Sequence, residues 1–146
     1  MKISIKTFKQ LSKTELYNIL QLRSEVFVVE QDCVYQDIDG KDEKALHVLG
    51  IKNNEVIAYT RCFKPGDYFN EASIGRVVVK QSQRKFKYGN DIMNTSIEAI
   101  KHNYNTTIIK LSAQCYLNQF YTNLGFNPIG EEYLEDGIPH IAMMKG

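Results

Sequence analysis

Cysteine is scarce in this chain, with only Cys33, Cys62 and Cys115 present. Three scattered thiols cannot build a disulfide framework or a zinc site of paired Cys-x-x-Cys spacing, so no metal is expected and reduced thiols in a cytoplasmic protein are the simplest reading. Excess charge is lacking as well. Lys and Arg number 18 against 17 Asp and Glu, a formal net charge of +1. That balance argues against a nucleic-acid surface, and any polyanionic partner should be small, because basic side chains concentrate only at 80–87. Long apolar runs are missing, and the start Met1-Lys-Ile-Ser-Ile-Lys-Thr-Phe8 alternates like a strand, so neither export nor a membrane span is expected. Repeats, low-complexity tracts and linkers are absent too. What remains, 146 residues with 43% hydrophobic content, suffices for one full core, read as a single domain over 1–146.

The pattern along the chain alternates between the two periods of regular structure. Ile3, Ile5 and Thr7 share one face of an opening strand, and Ser12-Lys-Thr-Glu15 has the spacing of a capping box. Leu16, Ile19, Leu20, Arg23 and Phe27 then recur at helical spacing, predicting a helix that ends near Val29 or Glu30. Asp32 to Glu43 is acidic and aperiodic, which predicts a long loop with room for a helical turn. Strands are expected at 45–51, 55–63 and 73–79, the first two joined through Lys52-Asn-Asn54 as a hairpin. A helix at 90–103, a buried strand at 106–111, a short helix at 117–124 capped by Gly125, and a last hairpin around Asp136-Gly137 complete the order β-α-β-β-β-α-β-α-β-β.

One junction carries chemistry. The β-branched run Ile74 to Val79 feeds a basic turn containing Arg84, Lys85 and Lys87, and Gly89 follows just where the next helix begins. Unpaired N–H groups at a helix start attract phosphate, and glycine lets the backbone approach closely. The added side-chain cations favour a di- or polyphosphate over a carboxylate. A single-glycine loop is also compatible with an ordinary solvated turn.

Two motifs make a second observation. Arg84 and Gly89, preceded by Val77 and Val79, match an Arg/Gln-x-x-Gly-x-Gly/Ala loop; Gln114 to Tyr121 and Gly125-Phe126 match an Asn-x₆-Tyr-x₃-Gly-Phe segment. In this order and separation they resemble the GNAT superfamily of acyl-CoA-dependent N-acyltransferases. Phe27-Val-Val-Glu-Gln31, Tyr35-Gln-Asp-Ile-Asp39-Gly40, Ile74-Gly-Arg-Val77 and Glu135-Asp-Gly-Ile-Pro-His140 are similar to its ElaA-like branch over nearly the whole chain. The resemblance implies an α/β (α+β) fold with a mixed, mostly antiparallel sheet flanked by helices, and a V-shaped gap between the fourth and fifth strands. It implies acetyl-CoA as co-substrate, held by Val77, Val78, Val79, Arg84, Lys85, Lys87, Tyr88, Gly89, Asn90, Gln114, Asn118 and Tyr121. Two positions depart from the pattern. Lys87 stands where the loop usually has its first glycine, and Gln114 replaces the usual asparagine with a longer amide.

Direct acyl transfer requires an unprotonated amine, an oriented thioester and a protonated leaving thiol. The resemblance makes Tyr121 the general acid beside the departing sulfur, where the bland reading is a packed core tyrosine. Glu30, His47 and His140 are candidates for the base or for the acceptor site, against the commoner reading of hydrogen-bonded structural histidines. Glu30, Gln31, Asp37 and Asp39 could form an acidic rim for a cationic acceptor; Arg76 could instead pair with that loop and make its carboxylates structural. Asp37-Ile-Asp39-Gly40 places its glycine too early for an EF-hand, and nothing readable activates Cys115 as a nucleophile. The functional expectation is acetyl transfer to a primary amine of a small molecule or peptide, with no nucleic-acid or membrane partner. A non-catalytic CoA-binding regulatory module is the alternative, and the terminal hairpin edge leaves a homodimer open.

Overall fold

A computed structural model describes residues 1–146. The chain opens with β1 (Lys2–Thr7) and α1 (Lys13–Arg23), which passes into a π-helical turn over Ser24–Glu30. Then come β2 (Leu46–Lys52), β3 (Glu55–Phe63), β4 (Ala72–Val79), α2 (Tyr88–Tyr104), β5 (Ile109–Gln114), α3 (Asn118–Asn123), β6 (Asn127–Glu135) and β7 (Ile138–Lys145). The expected element order and the mixed, mostly antiparallel sheet are both present. One seven-stranded sheet runs β1-β2-β3-β4-β5-β7-β6, and its only parallel pair is β4 with β5.

Local chemistry explains most boundaries. Ser12 Oγ accepts from Glu15 N–H at 3.0 Å and Glu15 Oε1 accepts from Ser12 N–H at 2.8 Å, the capping box that starts α1. Asn53 and Asn54 both take positive φ between β2 and β3, as do Asp136 and Gly137 between β6 and β7, the twist that two-residue hairpins require. Gly125 closes α3 at φ +95, with Phe126 N–H donating to the Tyr121 carbonyl at 3.1 Å.

Three boundaries differ from the expectation. β5 starts at Ile109, later than Thr106, because Asn105 ends α2 at positive φ and Thr106 Oγ1 then accepts from Ile108 N–H, holding a turn. Gln114 thereby becomes the last residue of β5. α2 starts at Tyr88, ahead of Asn90, because Lys87 breaks into the left-handed region at φ 60. The first helix widens into π geometry after Arg23; its buried residues are Ile19, Leu22 and Arg23 in the α part and Val26 and Phe27 in the π part, while Leu16 and Leu20 are only half-buried.

β3 is buried along all but its first residue, as a central strand covered on both faces should be. On one face Ile92, Met93 and Ile100 of α2 and Phe126 pack with Val48, Ala58, Ile74 and Leu111; on the other, the α1 stripe meets Leu49, Tyr59 and Val78. Each such fully buried aliphatic or phenyl group contributes roughly 1.5–3 kcal/mol of transfer free energy.

Charge also fastens the acidic loop. Arg23 and Arg61 are almost wholly buried, at 0% and 1% exposure. Arg23 donates to Asp37 at 2.7 Å and to Asp42 at 2.8 Å; Arg61 donates to Asp39 at 2.5 Å and to Asp42 at 3.0 Å. Arg76 lies 2.7 Å from Asp37 Oδ1, and Tyr35 O–H donates to the same oxygen at 3.0 Å. Burial raises the pKa of Asp39 and Asp42, yet the arginines outweigh it and hold both carboxyls below the usual range.

Candidate active site

β4 and β5 pair only at Ala72 with Ile109 and at Ser73 with Lys110. Beyond Ser73 they diverge, and the cause is local to β4. Arg61 pairs with Gly75 and Tyr59 with Val78, so Arg76 and Val77 together face the single residue Thr60. This is a β-bulge, and Arg76 takes φ +48 within it. The bend turns β4 away from its neighbour and leaves the β5-facing backbone of Val77 to Val79 without a ladder partner.

The gap holds a cavity of about 770 Å³. One wall is Gly75 to Val79 and the turn bearing Arg84, Lys87, Gly89 and Asn90; the other is Leu111, Ser112, Gln114 and His140. Leu117, Phe120 and Tyr121 come from the α3 segment, and Glu30 and Gln31 from the end of the π turn. Gly89 lies where a Cβ would sit 3.3 Å from the Phe120 ring, so any larger residue there would press on the contact between α3 and the start of α2. Lys87 supplies a left-handed turn that glycine would adopt more easily.

Arg84 and Glu30, proposed for opposite substrates, meet across the mouth of the cavity. The guanidinium donates to both Glu30 carboxylate oxygens, at 2.5 and 2.8 Å, and its Nε–H donates to the Val79 carbonyl at 3.0 Å. Gln31 and Gln114 likewise bridge the walls through a reciprocal amide pair at 3.3 and 3.2 Å. Tyr121 is 5% exposed, edge-on to Phe120 and Phe126. Its burial, with a smaller contribution from Tyr116, pushes the phenol's pKa up and keeps it protonated.

Several sequence candidates lie elsewhere. Lys85, over the Phe86 ring, does not line the cavity, nor does Tyr88, whose hydroxyl accepts from Lys52 Nζ at 3.1 Å, nor Asn118 at the head of α3. Asp37 and Asp39 do not form an acidic rim there, because the three arginines draw their carboxylates inward; Arg76 lines the cavity but is committed to Asp37. His47 is fully buried outside the cavity. Its Nε2 meets the Asp42 carbonyl at 2.9 Å and its Nδ1 the Tyr59 hydroxyl at 2.6 Å, and burial holds its pKa below 6.5.

His140 does reach the cavity, 6% exposed and stacked on Tyr133. Its Nδ1 lies 2.7 Å from the Ile138 carbonyl and its Nε2 3.2 Å from Glu135. Glu135 and Asp136 line the same wall; in the sequence they stand in a family motif and a hairpin turn and were given no role in the site. A signal for them existed: the two-residue turn at Asp136-Gly137 sets Glu135 against Ile138 and Tyr133 against His140, which puts Glu135 diagonal to the imidazole on one face.

Comparison with known proteins adds independent findings. The family model for the acetyltransferase (GNAT) domain matches residues 8–146. Protein ElaA of Escherichia coli K12 is 46% identical over 138 residues, spanning 93% of this chain and 90% of that protein. The crystal structure of E. coli ElaA superposes with a TM-score of 0.92 at 41% identity over the full length of both chains. That of an acyl-CoA N-acyltransferase from Pseudomonas aeruginosa superposes at 0.94 with 37% identity, also over both chains in full.

Proposed function

This chain belongs to the GNAT acetyltransferase family, and on that premise we infer that it transfers an acetyl group from acetyl-CoA directly to a primary amine. The observation that carries the reading is the splay after Ser73, which opens a cavity from the basic turn at Arg84 to the buried phenol of Tyr121. An acyl-CoA substrate would supply an activated thioester and a polyphosphate handle. The residues present suit both parts. Arg84, Lys87 and the amides at the start of α2 favour phosphate. The unpaired backbone of Val77 to Val79 can pair with an extended amide-bearing arm and polarise a carbonyl, as an added strand would. Gln114 offers an amide to the same arm.

Tyr121 is the proton donor of the reading. Burial keeps the hydroxyl protonated at every physiological pH, so the proton is in place when the sulfur departs; the same burial makes the phenol a weaker acid, so transfer is driven by the negative charge developing on sulfur as the C–S bond breaks. Cys115 is no nucleophile: its thiol pKa is raised by desolvation and by neighbouring Glu132, the reverse of an activated cysteine. Attack by the amine itself is the remaining route. Calorimetry with CoA and turnover with acetyl-CoA test these assignments together. Arg84→Ala should weaken CoA binding about tenfold or more, the cost of losing a charge-assisted contact. Tyr121→Phe should lower kcat by about a hundredfold while leaving CoA affinity within about twofold. Unchanged turnover in Tyr121→Phe removes the proton-donor role.

A further inference from the structure

We propose that the pair His140 and Glu135 is the acceptor site, taking the substrate amine as an ammonium ion and removing its proton at His140 Nε2; this rests on the acyltransfer reading above. The geometry sets the tautomer. His140 Nδ1 sits 2.7 Å from the Ile138 carbonyl, a group that can only accept, so Nδ1 carries a hydrogen in either protonation state. In the neutral ring, Nε2 therefore presents a lone pair to the Glu135 carboxylate 3.2 Å away. In that state two acceptors face each other with no donor between them, whereas a protonated ring closes the contact as an Nε2–H ion pair with Glu135. An ammonium group has three donors and a positive charge, and it can give one hydrogen to the carboxylate and another to the imidazole.

The surroundings agree with that assignment. Tyr133 stacks on the imidazole and fixes its plane, and Tyr133 is itself tied to Ser112 on the cavity wall. Asp136 lines the cavity beside Glu135. The wall thus carries negative charge opposite the basic turn, and a cation is drawn to one side and phosphate to the other. Glu30 is the other carboxylate at hand, but Arg84 already holds both of its oxygens.

The chemical step balances without a further reactant. One N–H bond of the ammonium breaks, its electron pair stays on nitrogen as the attacking pair, and the proton bonds to Nε2. The imidazolium so formed is neutralised by Glu135 and returns its proton to solvent through the half-exposed carboxylate. The proton shed later by the acylated nitrogen balances the one that Tyr121 gives to the departing sulfur.

The test uses the full chain, acetyl-CoA, and a panel of propylamine, 1,4-diaminobutane, phenethylamine and trifluoroethylamine, read by release of CoA thiol. Trifluoroethylamine is the control, since its fluorines leave it largely unprotonated at neutral pH. Glu135→Gln should raise the KM for the alkylamines about tenfold or more with a smaller change in kcat, and His140→Gln should lower their kcat by about a hundredfold. Both variants should lose far less on trifluoroethylamine, and calorimetric CoA affinity should hold throughout. Equal losses on all amines, or none, overturn the proposal while leaving acyl transfer intact. A wild-type protein that binds acetyl-CoA but acylates no amine overturns the proposal and the enzymatic reading together, and one that does not bind it removes the cofactor site as well.

Discussion

At the scale of the residue, the contact between Arg84 and Glu30 is the one that the proposed cofactor would have to rearrange. The same guanidinium cannot give its paired donors to a carboxylate and to a pyrophosphate at once, so the ion pair opposes cofactor binding until it opens. Removing the competitor should help: Glu30→Gln is expected to tighten CoA binding severalfold, by about 1 kcal/mol, as read by calorimetry. Weaker binding in Glu30→Gln would mean that the carboxylate supports the phosphate site. Lys87 makes a second case. At φ 60 the lysine already carries the roughly 1–2 kcal/mol penalty of an L-residue in that region, so Lys87→Gly should raise stability by up to about 1 kcal/mol in urea unfolding, and β-branched Lys87→Val should lower it below wild type. The sequence marked Lys87 as a departure from the family's loop glycine and left the shape of that turn open; the structure places the lysine itself at φ 60. The fate of His47 was not legible, because its partners Tyr59 and Asp42 are assembled only when β2, β3 and the acidic loop meet.

At the scale of the element, what could be read and what could not divide by range. Capping box, hairpin turns and glycine cap depend on a few consecutive residues, and each was readable at Ser12, Asn53-Asn54, Asp136-Gly137 and Gly125. The π turn after Arg23 was not, since Ser24 to Glu30 carries no local breaker, and the bulge at Arg76 was marked only by Gly75, a lone strand glycine not taken as a bulge signal. Both reshape the site, one by opening β4 from β5 and the other by aiming Glu30 and Gln31 at the cavity. The acidic loop was legible in part: pairing with Arg76, which makes its carboxylates structural, was the alternative offered by the sequence and is what the structure shows, while the buried partners Arg23 and Arg61 come from distant elements and were not foreseen. Removing one partner leaves buried charge behind. Arg23→Ala should therefore cost about 3–5 kcal/mol in urea unfolding, and a loss under about 1 kcal/mol would mean that the network is solvated in the native protein.

At the scale of the whole molecule, buried titratable groups predict how stability depends on pH. His47 has its pKa lowered on folding, so the unfolded chain binds the proton first and stability present above the ordinary 6.5 is lost as pH falls below it. Asp39 and Asp42 are also lowered on folding, so their contribution is full above the ordinary 3.8 and is lost as pH falls further. Urea unfolding across that range should show two successive declines, the first no steeper than about 1.4 kcal/mol per pH unit for one proton. A flat profile between about pH 7 and about pH 5 would contradict a neutral buried His47. The fold itself brings one buried phenol, one basic turn and one His-Glu pair to a single splayed gap in the sheet, and the central claim is that acyl transfer to an amine happens there. The most direct test is to incubate the wild-type protein with acetyl-CoA and the amine panel and to follow free thiol together with the mass of the amine. Amine-dependent thiol release with a matching acetylated product is predicted; binding of acetyl-CoA with no acetylated amine would contradict it.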